Sequence, residues 1–245
     1  MKMISMNSSN RDKTIKWSGY EWILKERWGD MHPDKPICWY DPKCVRVDGD
    51  YLFLGVSKNA KEFNGNTVNF GIGLVSCTER FGYGEYSIDA KLPTGRNLWP
   101  AFWMWSWDSW PPEIDVFEGY TGRFDYLKFR ILRILGFWNV QTNVHYRDEF
   151  ANRMTGGRTH WFGFKNPSKN FINYKVEWNK GYIKFYYNNR MVRNVTDPRI
   201  LESLWGHSMN VVINNSIKDG FTEDNLTSSE LVVKNFKYTR YPIDQ

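Results

Sequence analysis

From Tyr20 onward the chain is cut into short aromatic and β-branched runs by turn sequences, and no other feature constrains its fold as strongly. Asp48-Gly49-Asp50, Asn64-Gly65-Asn66, Pro93-Thr94-Gly95, Asn179-Lys180-Gly181 and Asn188-Asn189 are the punctuation. Gly and Asn supply the left-handed backbone that tight turns need, and runs between such turns read as strands. Strands are predicted at Glu21–Trp28, Tyr51–Val56, Val68–Ser76, Tyr83–Leu92, Trp99–Trp107, Glu113–Tyr120, Val140–Tyr146, Asn173–Asn179, Tyr182–Tyr187, Met209–Asn214 and Leu231–Tyr238. With this many short strands and little helical periodicity, the expected fold is all-β, an antiparallel β-jelly-roll sandwich. The 245 residues suffice for one large core. Residues 1–16, polar and rich in Ser, Asn and Lys, are expected to be a flexible N-terminal segment, and 17–245 a single domain with an insertion near 121–138.

The chain carries 33 basic and 27 acidic residues, a formal charge of +6. The basic residues are scattered and form no recognition helix, zinc finger or RNP pattern, so no nucleic-acid partner is expected. No apolar run approaches the ~20 residues of a spanning helix, so no stable membrane insertion is expected either. The N-terminus lacks the apolar core of a secretory signal. Cys38, Cys44 and Cys77 leave at least one thiol free, and the Cys38–Cys44 spacing is compatible with a bridge or with none. Without CxxC or HExxH spacing, no metal site and no cofactor are expected. A monomer is expected. Within the insertion, residues Phe124 to Phe137 alternate apolar side chains with Lys128, Arg130 and Arg133, reading as a basic amphipathic helix or a loop bordering a groove.

The chemistry concentrates in Glu113-Ile114-Asp115-Val116-Phe117-Glu118, which follows the aromatic run Trp99-Pro100-Ala101-Phe102-Trp103-Met104-Trp105. On a regular strand Glu113 and Asp115 share a face and Glu118 points the other way. If Val116 or Phe117 is the extra residue of a β-bulge, Glu118 returns to the Glu113 face. Crowded carboxyls then separate in pKa, giving a proton donor and an ionised nucleophile in one groove, which is what glycoside hydrolysis requires. The same string on a solvated strand face would have no chemistry. Trp99, Trp103 and Trp105 share one face of their strand and are candidate stacking surfaces for sugar rings, with Trp107, Trp110 and Trp138 as further candidates.

The string resembles the bulged ExDxxE signature of glycoside hydrolase family 16, the group of laminarinases, agarases, porphyranases and κ-carrageenases. Its surroundings agree: Trp99-Pro100-Ala101-Phe102-Trp103-Met104 is similar to the family's WPAFWM-like strand, and Phe81-Gly82-Tyr83-Gly84 with Ala90-Lys91-Leu92-Pro93 resembles the strand before it. Thr142-Asn143-Val144-His145 and Asn173-Tyr174-Lys175-Val176-Glu177-Trp178 resemble later strands. The resemblance implies a jelly roll with a concave substrate cleft and extracellular action. It also implies Glu113 as nucleophile, Glu118 as general acid and then base, Asp115 as the group orienting the nucleophile, and Trp99, Trp103 and His145 as cleft residues.

Three departures bear on substrate and ions. Ser87-Ile88-Asp89 stands where many laminarinases have Glu-x-Arg, and Phe171-Ile172-Asn173-Tyr174 lacks the His of FHxY. Lys234 stands where many members place a calcium-binding acid in the last strand, so the ion is not expected. The leading expectation is a retaining endo-β-glycosidase acting on β-1,3 or β-1,4 links of a polysaccharide, with β-glucan ahead. A sulfated or otherwise anionic galactan fits the basic charge, a transglycosylase would use the same covalent intermediate, and a non-catalytic carbohydrate-binding protein is the alternative of another class.

Overall fold

The computed structural model describes residues 13–32, 36–119, 131–132, 134–163, 165–228 and 230–242. These form nineteen strands, numbered here in chain order, in two large sheets and one small one. The first sheet runs β1 (Thr14–Trp17), β2 (Tyr20–Ile23), β8 (Leu74–Phe81), β18 (Met209–Ile217), β10 (Leu98–Trp105), β11 (Glu113–Glu118), β12 (Phe137–Arg147) and β13 (Arg153–Thr155), with β14 (Arg158–Gly163) also on β12. The second runs β17 (Arg190–Val195), β16 (Ile183–Tyr187), β15 (Ile172–Trp178), β9 (Gly84–Lys91), β19 (Leu231–Arg240), β5 (Tyr51–Leu54) and β4 (Val45–Asp48). The third joins β3 (Trp39–Tyr40), β7 (Asn66–Ile72) and β6 (Val56–Phe63). A two-sheet antiparallel sandwich is thus the observed architecture, as the turn punctuation predicts.

The core between the large sheets follows from strict alternation. On β15 the pattern buries Ile172, Tyr174, Val176 and Trp178 and leaves Asn173, Lys175 and Glu177 outside, as a half-buried strand must. Phe102 and Met104 of β10, Ile114, Val116 and Phe117 of β11 and Val211 and Ile213 of β18 meet them from the other side. Phe117 lies 4.6 Å from Tyr174, ring to ring, across the interface. Each such side chain contributes about 1.5–3 kcal/mol of burial free energy.

Several expectations shift. Thr14–Trp17 is a strand, so the polar N-terminal segment ends before Lys16; residues 1–12 lie outside the described ones. The single strand predicted over Val68–Ser76 is two, broken at Gly73, where an added Cβ would stand 2.5 Å from the Cys44 carbonyl oxygen. Strands β6, β13 and β14 carry mostly polar or exposed residues and so give little apolar alternation to read. Most of the basic segment Phe124 to Phe137 falls outside the described residues; Ile131, Leu132 and Ile134 are helical. All three cysteines are buried free thiols, so Cys38 and Cys44 are not bridged.

Candidate active site

The site is built by a one-residue irregularity in β11. Against β10, Trp103 pairs with Asp115 and Phe102 with Phe117, skipping Val116. Against β12, Asp115 pairs with Asn143 and Glu118 with Gln141, so two residues of β11 oppose one of its partner. Val116 and Phe117 both enter the core, and the alternation restarts with Glu118 on the face of Glu113 and Asp115. The bulge frees the Val116 carbonyl from the ladder, and the Tyr187 hydroxyl, from the opposite sheet, donates to it at 3.3 Å.

Around the three acids the partners are specific. Trp110 Nε1 donates to Glu113 Oε2 at 2.8 Å. His145 Nε2 lies 3.5 Å from Glu113 Oε1 and 3.6 Å from Asp115 Oδ2. Asn143 Nδ2 donates to Glu118 Oε1 at 3.2 Å and lies 3.1 Å from His145 Nε2. The amide of Asn143 is oriented by its own oxygen, which accepts from the Val144 N–H at 2.9 Å and the Thr155 hydroxyl at 3.0 Å.

Asp115 is 2% exposed. Burial, and then the neighbouring charges of Glu113 and Glu118, hold its carboxyl well above the usual range, so it keeps its proton; the buried Arg193 guanidinium opposes that shift without cancelling it. Arg193 is itself lowered to about 10 by burial and by Arg158, and its Nη1 donates to Thr142 Oγ1 at 3.1 Å. A neutral acid between two glutamates lets both of them sit in one row without three-fold repulsion. Glu113, Asp115 and His145 offer atoms within 4.8 Å of one another, a spacing a cation would need, but a carboxyl that keeps its proton is a poor ligand.

The predicted aromatic surface is only partly available. Trp103 is half-buried, its Nε1 donating to Asn214 Oδ1 at 2.7 Å. Trp105 is 2% exposed beneath Trp28, whose ring centroid is 5.0 Å away, with the Arg27 guanidinium 5.2 Å from its ring; it belongs to the wall and offers no open face. Lys218 Nζ stands 2.9 Å from the Trp99 ring centroid, and Gly119 packs so closely on that ring that a Cβ there would lie 2.7 Å from it. Trp138 falls on the face of β12 that carries Val140 and Val144, opposite Gln141, Asn143 and His145, so alternation turns it away from the acids. Trp110, a stacking candidate in the sequence, serves instead as a hydrogen-bond donor to Glu113; Asn143, Arg193 and Tyr187 are the site residues that reading the sequence does not assign. Only Asn143 had a signal, two positions before His145 and therefore on the same strand face.

The chain is 26% identical over 194 residues to the endo-1,3-1,4-beta-glycanase ExoK of Rhizobium meliloti, covering 76% of this chain and 64% of that protein, so it spans less than two thirds of the relative's length. Among solved structures, LamAcat of Zobellia galactanivorans superposes with a TM-score of 0.67 at 16% identity, over 86% of this chain and 87% of that one. Porphyranase B of the same organism superposes with a TM-score of 0.67 at 16% identity, over 92% and 88%. At these identities the structures speak for the fold. The sequence profile of glycosyl hydrolases family 16 matches residues 37–230, and this chain belongs to that family.

Proposed function

We propose that the chain is a retaining endo-β-glycosidase that hydrolyses internal β-1,3 or β-1,4 links of a polysaccharide, with β-glucan the leading substrate. The observation that carries the reading is the bulge at Val116–Phe117, which puts Glu113 and Glu118 on one face with a protonated Asp115 between them. In this reaction Glu118 protonates the leaving glycosidic oxygen while Glu113 attacks the anomeric carbon. Glu118 then takes a proton from the water that releases the glycosyl-enzyme. Trp110 and His145 hold Glu113 in its attacking position, and Asn143 aims Glu118. The endo-1,3-1,4-beta-glycanase relative supports the β-glucan choice.

Reducing-end release from laminarin, mixed-linkage glucan, agarose, porphyran and κ-carrageenan tests it, with Glu113→Gln as control and the anomer of the first product read by NMR. Release of the β-anomer from a glucan, abolished by the substitution, is the expected result. Release of the α-anomer would overturn retention, and binding without release on every polymer would favour a carbohydrate-binding protein. One observation favours the anionic galactan as second reading: the Lys218 ammonium on the Trp99 ring puts a cation beside the strand that faces Glu118.

A further inference from the structure

The outward face of the second sheet, remote from the carboxylates, carries an assembly that hydrolysis does not use. Tyr51 and Phe53 of β5 point outward while Leu52 and Leu54 fill the core, and Phe171 stands just ahead of β15. Ring centroids are 6.2 Å apart for Tyr51 and Phe53 and 5.9 Å for Tyr51 and Phe171, and Tyr51 is 39% exposed. Cations stand over these rings: Arg46 at 3.6 Å from Phe53, Lys91 at 4.9 Å from Phe171, and Lys234 at 4.4 Å from Phe171 and 5.7 Å from Tyr51. Arg46 is answered by Asp48 and Glu230. Among the described residues Lys91 and Lys234 form no ion pair with a carboxylate. The acid next to Lys234 in the strand register, Asp89, is occupied by Asn173 Nδ2 at 2.9 Å and Asn235 Nδ2 at 2.7 Å.

Beside the rings lies a groove of about 480 Å³ whose lining includes Ser87, Asp89, Asn173, Asn235, Lys165 and Lys237. Its volume falls in the range of small-ligand sites, about 300–1,000 Å³, but its lining is hydroxyl, carboxamide, ammonium and two carboxylates, Glu85 and Asp89, in place of the usual apolar wall. Such groups suit vicinal hydroxyls and anionic substituents. A ring face fixes an ammonium without neutralising it, so the charge of Lys91 and Lys234 remains available to a ligand. We propose that this face is a second carbohydrate-binding site, separate from the cleft, for an anionic polysaccharide, with Lys91, Lys234 and Lys237 on its sulfate or carboxylate groups and Tyr51 and Phe171 against its sugar rings. Asp89 and Glu85 interrupt the positive charge, which disfavours the dense, uniform phosphate backbone of nucleic acid. The choice of polysaccharide rests on membership of the family.

The test uses the full chain carrying Glu113→Gln, so that binding is read without turnover, on biosensor surfaces of immobilised κ-carrageenan, laminarin and duplex DNA. Lys91→Glu with Lys234→Glu is expected to weaken κ-carrageenan binding at least five-fold and to leave laminarin binding as it was, whereas Trp103→Ala in the cleft leaves κ-carrageenan binding in place. Phe171→Ala, checked for an unchanged melting temperature, should weaken it as well. Unchanged κ-carrageenan binding in the charge-reversal variant, or loss only with Trp103→Ala, would overturn the proposal. So would equally tight binding to duplex DNA lost in the same variant. A failure of the β-glucan reading shows separately, as absence of binding on the laminarin surface.

Discussion

Tyr187 reaches across the core from β16 to donate its hydroxyl to the carbonyl of Val116, the residue that the β11 ladder leaves out. This contact ties the position of the bulge to the opposite sheet, and the bulge sets where Glu118 points. Removing the hydroxyl strands a buried carbonyl, at a cost of about 1–3 kcal/mol. Tyr187→Phe is therefore expected to lower the unfolding free energy by that amount and to reduce kcat more than it changes KM, because the relaxed bulge misdirects Glu118. Denaturant unfolding and steady-state kinetics check both; a variant with lowered stability and wild-type kcat would sever the link between bulge and catalysis.

Trp110 donates its indole N–H to Glu113 Oε2 at 2.8 Å. Its orientation is held from outside the site by Arg147, whose Nη2 donates to the Trp110 carbonyl at 2.9 Å, and by Arg153 over its ring at 4.9 Å. Trp110→Phe keeps an aromatic ring and deletes the donor. A hydrogen bond to a charged group contributes about 1.5–3 kcal/mol, so kcat is expected to fall roughly ten- to hundred-fold. An unchanged kcat would mean that the Trp110 hydrogen bond does not position Glu113 for attack.

Much of this arrangement is legible before any coordinates. The period-two alternation of β15 and the Asn- and Gly-bearing turns point to the sandwich, and three acids inside six residues of an otherwise apolar strand mark the candidate site. What the string leaves open is local geometry. Val116 and Phe117 are both apolar, so neither marks itself as the extra residue, and only the register against two neighbouring strands settles it. Trp105 and Trp138 look like stacking surfaces because Trp is large and amphipathic, but one lies beneath Trp28 and the other is turned by alternation. The partners Tyr187 and Arg193 lie 69 or more residues along the chain from the acids, a distance over which no local pattern carries information.

Glu26 gives the protein a pH signature of its own. It is 1% exposed, and burial pushes its carboxyl from the ordinary 4.5 up to about 8. Between these values the folded chain holds a proton that the unfolded chain has released. Its contribution is therefore complete below the window and is lost as pH rises through it, by at most about 1.4 kcal/mol per pH unit. Asp115, also raised, acts with the same sign. Melting temperature is expected to fall from pH 5 to pH 8 in the parent and to fall less in Glu26→Gln, which cannot titrate. Equal slopes in the two proteins would refute a buried, protonated Glu26.

Lys218 separates the two substrate readings because it occupies the face of Trp99, a candidate stacking ring. Its ammonium lies 2.9 Å from the Trp99 centroid. Against a neutral β-glucan that charge makes no strong contact, so Lys218→Met should leave kcat/KM on laminarin within about three-fold, or raise it slightly by uncovering the indole. Against a sulfated galactan the same substitution deletes a charge-assisted hydrogen bond and should cost ten-fold or more. Parallel assays on laminarin and porphyran therefore read the same side chain in two ways. A ten-fold loss on porphyran with laminarin untouched would move the substrate to the anionic galactan, while indifference on both would assign the Lys218–Trp99 contact to packing alone.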